Sequence, residues 1–126
     1  VSGFSARPRR SGDDVEKTRR LIAEVDHLSS RLARSARDGR EAFLAAESDS
    51  RDVAALALIN LADLVHRNLP DEIVSTLPAL DVTGLRATRN IAARNYGALD
   101  SDRLWTTVTA HAPTLLATIR SAFTRV

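Results

Sequence analysis

Residues Arg51 to Arg67 read RDVAALALINLADLVHR. Val53, Leu56, Ile59, Leu61, Leu64 and Val65 recur at helical steps, yet they spread over too wide an arc for one narrow stripe. The segment is therefore expected to be a long helix, central and more buried than its neighbours. Upstream, the polar run Glu47-Ser48-Asp49-Ser50 offers Ser48 or Asp49 as its cap. Downstream, Asn68-Leu69-Pro70 stops it, because proline lacks the amide that would continue the ladder.

Working outward, Val15, Leu21, Ile22, Val25, Leu28 and Leu32 repeat every three or four residues, and Asp13 and Asp14 suit the positive end of a helix dipole. A first long helix is predicted from Asp13 to about Arg37. Asp38-Gly39 punctuates, and Arg40 to Ala46 reads as a short helical piece turning Phe43 and Leu44 inward. Pro70 to Leu77 allows one or two turns before Pro78 interrupts again. Asp81 or Thr83 is the expected cap of a helix from about Gly84 to Arg94, ended at Asn95-Tyr96-Gly97. A last helix runs from Asp100 or Ser101 to about Thr124, kinked by Pro113, with Leu104, Trp105, Val108, Leu115, Leu116, Ile119 and Phe123 on its apolar side. The expected fold is all-α: an antiparallel bundle of four main helices with short helical connectors.

The bulk composition agrees with that reading. A chain of 126 residues is the size of one domain, and 44% apolar against 27% charged residues places it with folding chains rather than disordered ones. Residues 1–12, with Arg7, Arg9 and Arg10 among Ser, Gly and Pro, read as a flexible, solvated leader to a domain spanning 13–126. The absence of cysteine removes disulfides, Cys-ligated zinc and thiol catalysis, and suits the cytoplasm. No apolar run approaches the ~18 residues of a membrane span, so no membrane role is expected. Net charge is only +2, but Lys17 is the single lysine. Basicity is almost wholly arginine, whose planar fork matches phosphate.

The most specific segment is Leu85 to Asp100, LRATRNIAARNYGALD. It resembles the motif of the HepT toxins of the HEPN superfamily, the ribonuclease half of a bacterial toxin-antitoxin pair. That motif is an Arg-Asn pair, a histidine after four residues from the arginine, any residue, then tyrosine, with an acidic residue shortly after. Arg89, Asn90, Tyr96 and Asp100 stand in register with it. The resemblance runs from Ile59-Asn60-Leu61-Ala62-Asp63 to Leu104-Trp105-Thr106-Thr107-Val108, and more loosely from Asp13. One position departs: Arg94 stands where the family has its catalytic histidine. Guanidinium stays protonated near neutral pH and cannot act as a general base.

The resemblance implies a HEPN-like helical fold and a metal-independent endoribonuclease without a cofactor. RNA would be gripped in a groove between two protomers of a homodimer. Arg89 would hold the phosphate, with Asn90 and Arg94 beside it. Loss of acid-base chemistry, typically worth about 100- to 10,000-fold, would leave a catalytically impaired chain. Arg94 is then either a natural change or one introduced to permit production of a lethal protein. The resemblance further implies an MNT-type nucleotidyltransferase antitoxin that transfers AMP to the Tyr96 hydroxyl; the plain alternative is a tyrosine that only closes the helix end. A reading of a different class is a non-catalytic helical partner or substrate-binding subunit of a nucleotidyltransferase.

Other residues carry weaker messages. His27, His66 and His111 are far apart, and only Asp63 before His66 hints at a ligand pair, so no metal site is expected and the three read as surface or capping residues. His66 could replace the missing base only if it faced the groove, which its spacing does not require. Trp105 reads as core packing rather than a base-stacking platform. Gly84 and Gly97 form no phosphate loop, and no Walker or dinucleotide motif is present. Arg19-Arg20 and Arg31, Arg34 and Arg37 read as a solvated face.

Overall fold

The computed structural model describes residues 12–95, 97 and 100–125. Among them the chain is helix and turn with no strand, the all-α class read from the sequence.

Helix α1, Gly12–Ala36, turns Leu21, Val25, Leu28, Leu32 and Ser35 inward, with Asp13 and Asp14 in its first turn and Arg34 in its last. Its start at Gly12 places the helix one residue ahead of the expected boundary. Ser35 is buried yet satisfied, its hydroxyl donating to the Leu32 carbonyl at 2.8 Å. Gly39, at φ 94°, takes the left-handed turn that glycine permits. The chain then enters α2, Arg40–Leu44, which drives Phe43 fully into the core.

Helix α3, Asp49–Asp63, is capped by Ser48, whose Oγ accepts from the Arg51 amide at 3.1 Å. The Arg51 side chain reaches back over the end of α2 and donates to the carbonyls of Phe43 (3.1 Å), Ala45 (2.8 Å) and Ala46 (3.3 Å). These carbonyls lie in and just past the last turn of a helix too short to pair them, so one guanidinium closes the α2–α3 link. As expected, α3 is central: Ala54, Ala57, Leu58, Leu61 and Ala62 are buried, and it packs against both α1 and α5. Its apolar arc is nevertheless not wholly internal, because Val53 and Leu56 remain 42% and 52% exposed.

Two π turns shape the rest. The continuation of α3 widens over Leu64–Asn68, where the Leu69 amide reaches back to the Leu64 carbonyl at 3.0 Å, immediately before Pro70. The same device recurs over Thr107–His111, where Ala112 bonds back to Thr107 immediately before Pro113. In both, the wider turn ends where proline cannot supply the next amide. Helices α6, Ser101–Thr106, and α7, Ala112–Arg125, are thus joined through the π turn. That turn is how the chain accommodates Pro113.

A short α4, Asp71–Val74, follows Pro70. Helix α5, Ala79–Asn95, begins well ahead of the predicted Gly84 and does not use Asp81 or Thr83 as its cap. Instead the Pro78 carbonyl accepts the amides of Asp81 and Val82 at 3.1 and 3.2 Å. Proline is tolerated at a helix start, where its missing amide is not needed, so Pro78 opens a helix rather than breaking one. Asp100 caps α6, its carboxylate accepting from the Asp102 and Arg103 amides at 3.0 and 3.2 Å.

Two exposed ion pairs trace the directions: Arg40, on α2 just beyond the end of α1, meets Asp102, and Arg120 meets Asp26 on α1 at 3.0 Å, so α1 runs antiparallel to the α6–α7 rod. The core between them is aliphatic, closed at one end by Phe43 against Trp105, with ring centroids 5.1 Å apart at 59°. Trp105 therefore packs on the core, as read. No helix among the described residues is long and apolar enough to cross a membrane.

Candidate functional site

Helix α5 is the least embedded long helix: along its described length only Leu85 is buried. Asp63 and His66 lie three residues apart near the end of α3, so they share a face. Arg86 and Arg89 lie three apart on α5. The two pairs meet in antiparallel register: Arg86 Nη2 is 3.0 Å from His66 Nδ1, and Arg89 Nε is 3.4 Å from Asp63 Oδ1. Together with Ala62, Arg67 and Asn90 they line a cleft of about 190 Å³.

Of the residues singled out from the sequence, the structure brings Arg89 and Asn90 into this cleft. Arg94 sits a turn further along α5, exposed, with its Nε donating to the Asn90 carbonyl at 3.4 Å, and is not part of the cleft lining. Tyr96 lies outside the described residues. His27 and His111 are exposed, in keeping with surface roles.

His66 differs from that reading. It is partly buried in the cleft wall, on the π turn that follows α3. Guanidinium can only donate, so Nδ1 accepts from Arg86, and the proton of the neutral ring lies on Nε2. Nε2 is shut away from water and makes no well-aligned hydrogen bond, with the Val82 backbone its weak polar neighbour. Burial holds the imidazole below its usual pKa of 6.5, and the charge of Arg86 pushes the same way. The Val82 backbone and Asp63 pull against these without reversing them. The ring is neutral near pH 7.

Three guanidinium groups and one carboxylate around an uncharged ring leave the cleft net positive, suited to an anionic phosphodiester. Among the described residues no group of three His, Asp or Glu side chains could hold a metal ion. A larger cavity of about 680 Å³ lies on the other side of α5, lined by Ala87, Thr88 and Ile91 and by Asp100, Asp102 and Arg103. It is a poorer phosphate site. Asp100 is committed to capping α6 and Asp102 to Arg40, and both carboxylates would repel an anion.

Sequence reading missed Arg86 and the cleft position of His66. The available signal was the pair of three-residue spacings on two helices expected to be antiparallel neighbours. No curated protein and no solved structure matches the chain. Residues 25–122 match the family described as "Ribonuclease HepT-like", and the chain belongs to that family.

Proposed function

We propose that this protein is a HepT-type ribonuclease toxin that binds RNA through Arg89 and Asn90, with Arg94 extending the basic surface. Its RNA cleavage is impaired because Arg94 replaces the motif histidine. The family match over residues 25–122, with the motif's Arg89 and Asn90 lining a basic cleft, carries the reading. In metal-free cleavage the 2′-hydroxyl must lose a proton while charge grows on the phosphoryl oxygens. Arginines serve the second need; Arg94 cannot serve the first.

The acting form is a homodimer whose protomers pool their arginines. Support comes from apolar side chains left uncovered on α3, one of the two helices that build the cleft, where Val53 and Leu56 stay exposed. The partner that neutralises it is an MNT-type nucleotidyltransferase, which transfers AMP to Tyr96, and both act in the cytoplasm.

The deciding experiment compares the chain with Arg94→His for RNA cleavage and growth arrest. Restoring the histidine is expected to raise the cleavage rate by about 100- to 10,000-fold, and adding Arg89→Ala is expected to abolish the gain. An Arg94→His variant that binds RNA but neither cleaves it nor slows growth would instead identify a non-catalytic partner of a nucleotidyltransferase. Light scattering that finds a monomer at micromolar concentration would remove the pooled site.

A further inference from the structure

We propose that His66 is the proton acceptor of this chain's ribonuclease site, held in reserve by Arg86 until an RNA phosphate draws that arginine away. The inference rests on the ribonuclease reading and adds to it a residue outside the Arg-Asn motif.

The cleft offers two groups that could take a proton from a 2′-hydroxyl, Asp63 and His66. Asp63 is paired with Arg89, and a carboxylate is a far weaker base than imidazole. His66 presents its two edges unequally. Nε2 is buried, whereas Nδ1 is met by the exposed Arg86 at 3.0 Å, so Nδ1 is the edge that a ligand in the cleft can reach. Its lone pair is occupied as long as Arg86 donates to it.

That contact is weak compared with what RNA offers. A guanidinium bound to a neutral ring nitrogen makes one bond to an uncharged acceptor, whereas a phosphate offers it opposite charge and a bidentate geometry. An incoming phosphodiester therefore recruits Arg86, alongside Arg89 and Arg67, and uncovers Nδ1 next to the phosphate. The 2′-hydroxyl proton passes to Nδ1 as the 2′ oxygen bonds to phosphorus and the bond from phosphorus to the 5′ oxygen breaks. The departing 5′ oxygen takes a proton from water, and the imidazolium releases its own to solvent. The products are a 2′,3′-cyclic phosphate and a 5′-hydroxyl.

The charged groups facing His66 are Asp63 and Arg67 from its own helix and Arg86 and Arg89 from α5. Burial and, after it, the charge of Arg86 keep the free ring neutral, ready to accept, in a cleft that Arg67 and Arg89 help to make net positive. A bound phosphate offsets them and steadies the imidazolium as it forms.

The test uses the full chain and an end-labelled single-stranded RNA oligonucleotide. The unmodified protein is expected to cleave slowly and leave 2′,3′-cyclic phosphate ends. His66→Asn, and His66→Gln as a second variant should the first unfold, are expected to lose about 100-fold or more of that rate while RNA binding by anisotropy stays within about 3-fold. The rate should rise with pH through one ionisation below the usual histidine value, and that step should be missing in the variants. Nitrogen NMR of the three histidines supplies a readout independent of turnover. His66 should be the Nε2–H tautomer in the free protein, and saturating adenosine monophosphate should raise its pKa. Cleavage undiminished in both variants, no detectable cleavage despite RNA binding, or an imidazole whose pKa ignores the nucleotide would each overturn the assignment. Absence of RNA binding by the unmodified chain would instead bring down the ribonuclease reading itself, and this inference with it.

Discussion

Arg89 and Asp63 form an ion pair across the α3–α5 seam, Nε to Oδ1 at 3.4 Å, with 33% and 36% of the two side chains open to solvent. Such a pair contributes little to folding, of the order of 0–1 kcal/mol. Its consequence is for ligands, because the residue matching the motif arginine enters the free cleft already holding an anion. A phosphate must share Arg89 with Asp63 or displace it.

Asp63→Asn is therefore expected to tighten binding of single-stranded RNA by about 2- to 5-fold at low salt, the equivalent of roughly 0.5–1 kcal/mol. Stability should change by no more than about 1 kcal/mol. Fluorescence anisotropy over a salt series checks the first statement and urea unfolding the second. Unchanged or weaker binding would mean that Asp63 orients Arg89 more than it competes for it.

Acid should destabilise the fold through His66. Its folded pKa is lowered from the usual 6.5, so between the two values the unfolded chain binds more protons than the folded one. The stabilisation is complete above 6.5 and is lost as pH falls through that value toward the lowered one. Urea midpoints measured across this window should decline on acidification, and His66→Gln should flatten that decline. A slope identical in the variant would assign the acid sensitivity elsewhere.

Phe43 ties α2 to the core and to Trp105. Phe43→Ala should cost about 3–5 kcal/mol, by cavity formation and loss of the ring contact. Val15 is 55% exposed, so Val15→Ala should stay within about 0.5 kcal/mol. Denaturant unfolding separates the two outcomes cleanly.

The elements legible in the sequence were those set by local chemistry. The Ser48 cap, the Asp100 cap, the Gly39 turn and the stop at Pro70 each follow from one residue's own preference. Helix α5 is harder, because Pro78 reads locally as a break yet serves as a start, and both uses satisfy proline's geometry. The wide apolar arc of α3 correctly marked the central helix but could not show that Val53 and Leu56 face outward. In the cleft, Arg89 and Asn90 were legible through the motif. The cleft position of His66 was not, since it depends on register between helices distant in sequence and on a π turn that periodicity does not reveal. Arg86 was hidden for the same reason, its partner lying on another helix.

Tyr96 is expected to be the residue to which a cognate nucleotidyltransferase attaches AMP. It is the chain's single tyrosine, so no other phenol competes, and it follows directly on Asn95, the last residue of α5. That helix carries Arg86, Arg89 and Arg94, and the first two of these line the cleft while Arg94 lies closest in sequence to Tyr96. A phosphate tethered to Tyr96 would find guanidinium groups along the same helix, where each charged hydrogen bond contributes about 1.5–3 kcal/mol before screening. The groups that grip RNA would then be occupied by the modification, and the added base would block entry by bulk. Incubation with the partner enzyme and ATP, followed by peptide mass spectrometry, should place AMP on the Tyr96 peptide and leave Tyr96→Phe unmodified. RNA affinity of the modified protein should fall, and the loss should shrink at high salt if charge is the main cause. An adduct on serine or threonine, or on the Phe variant, would show that another residue carries the regulation.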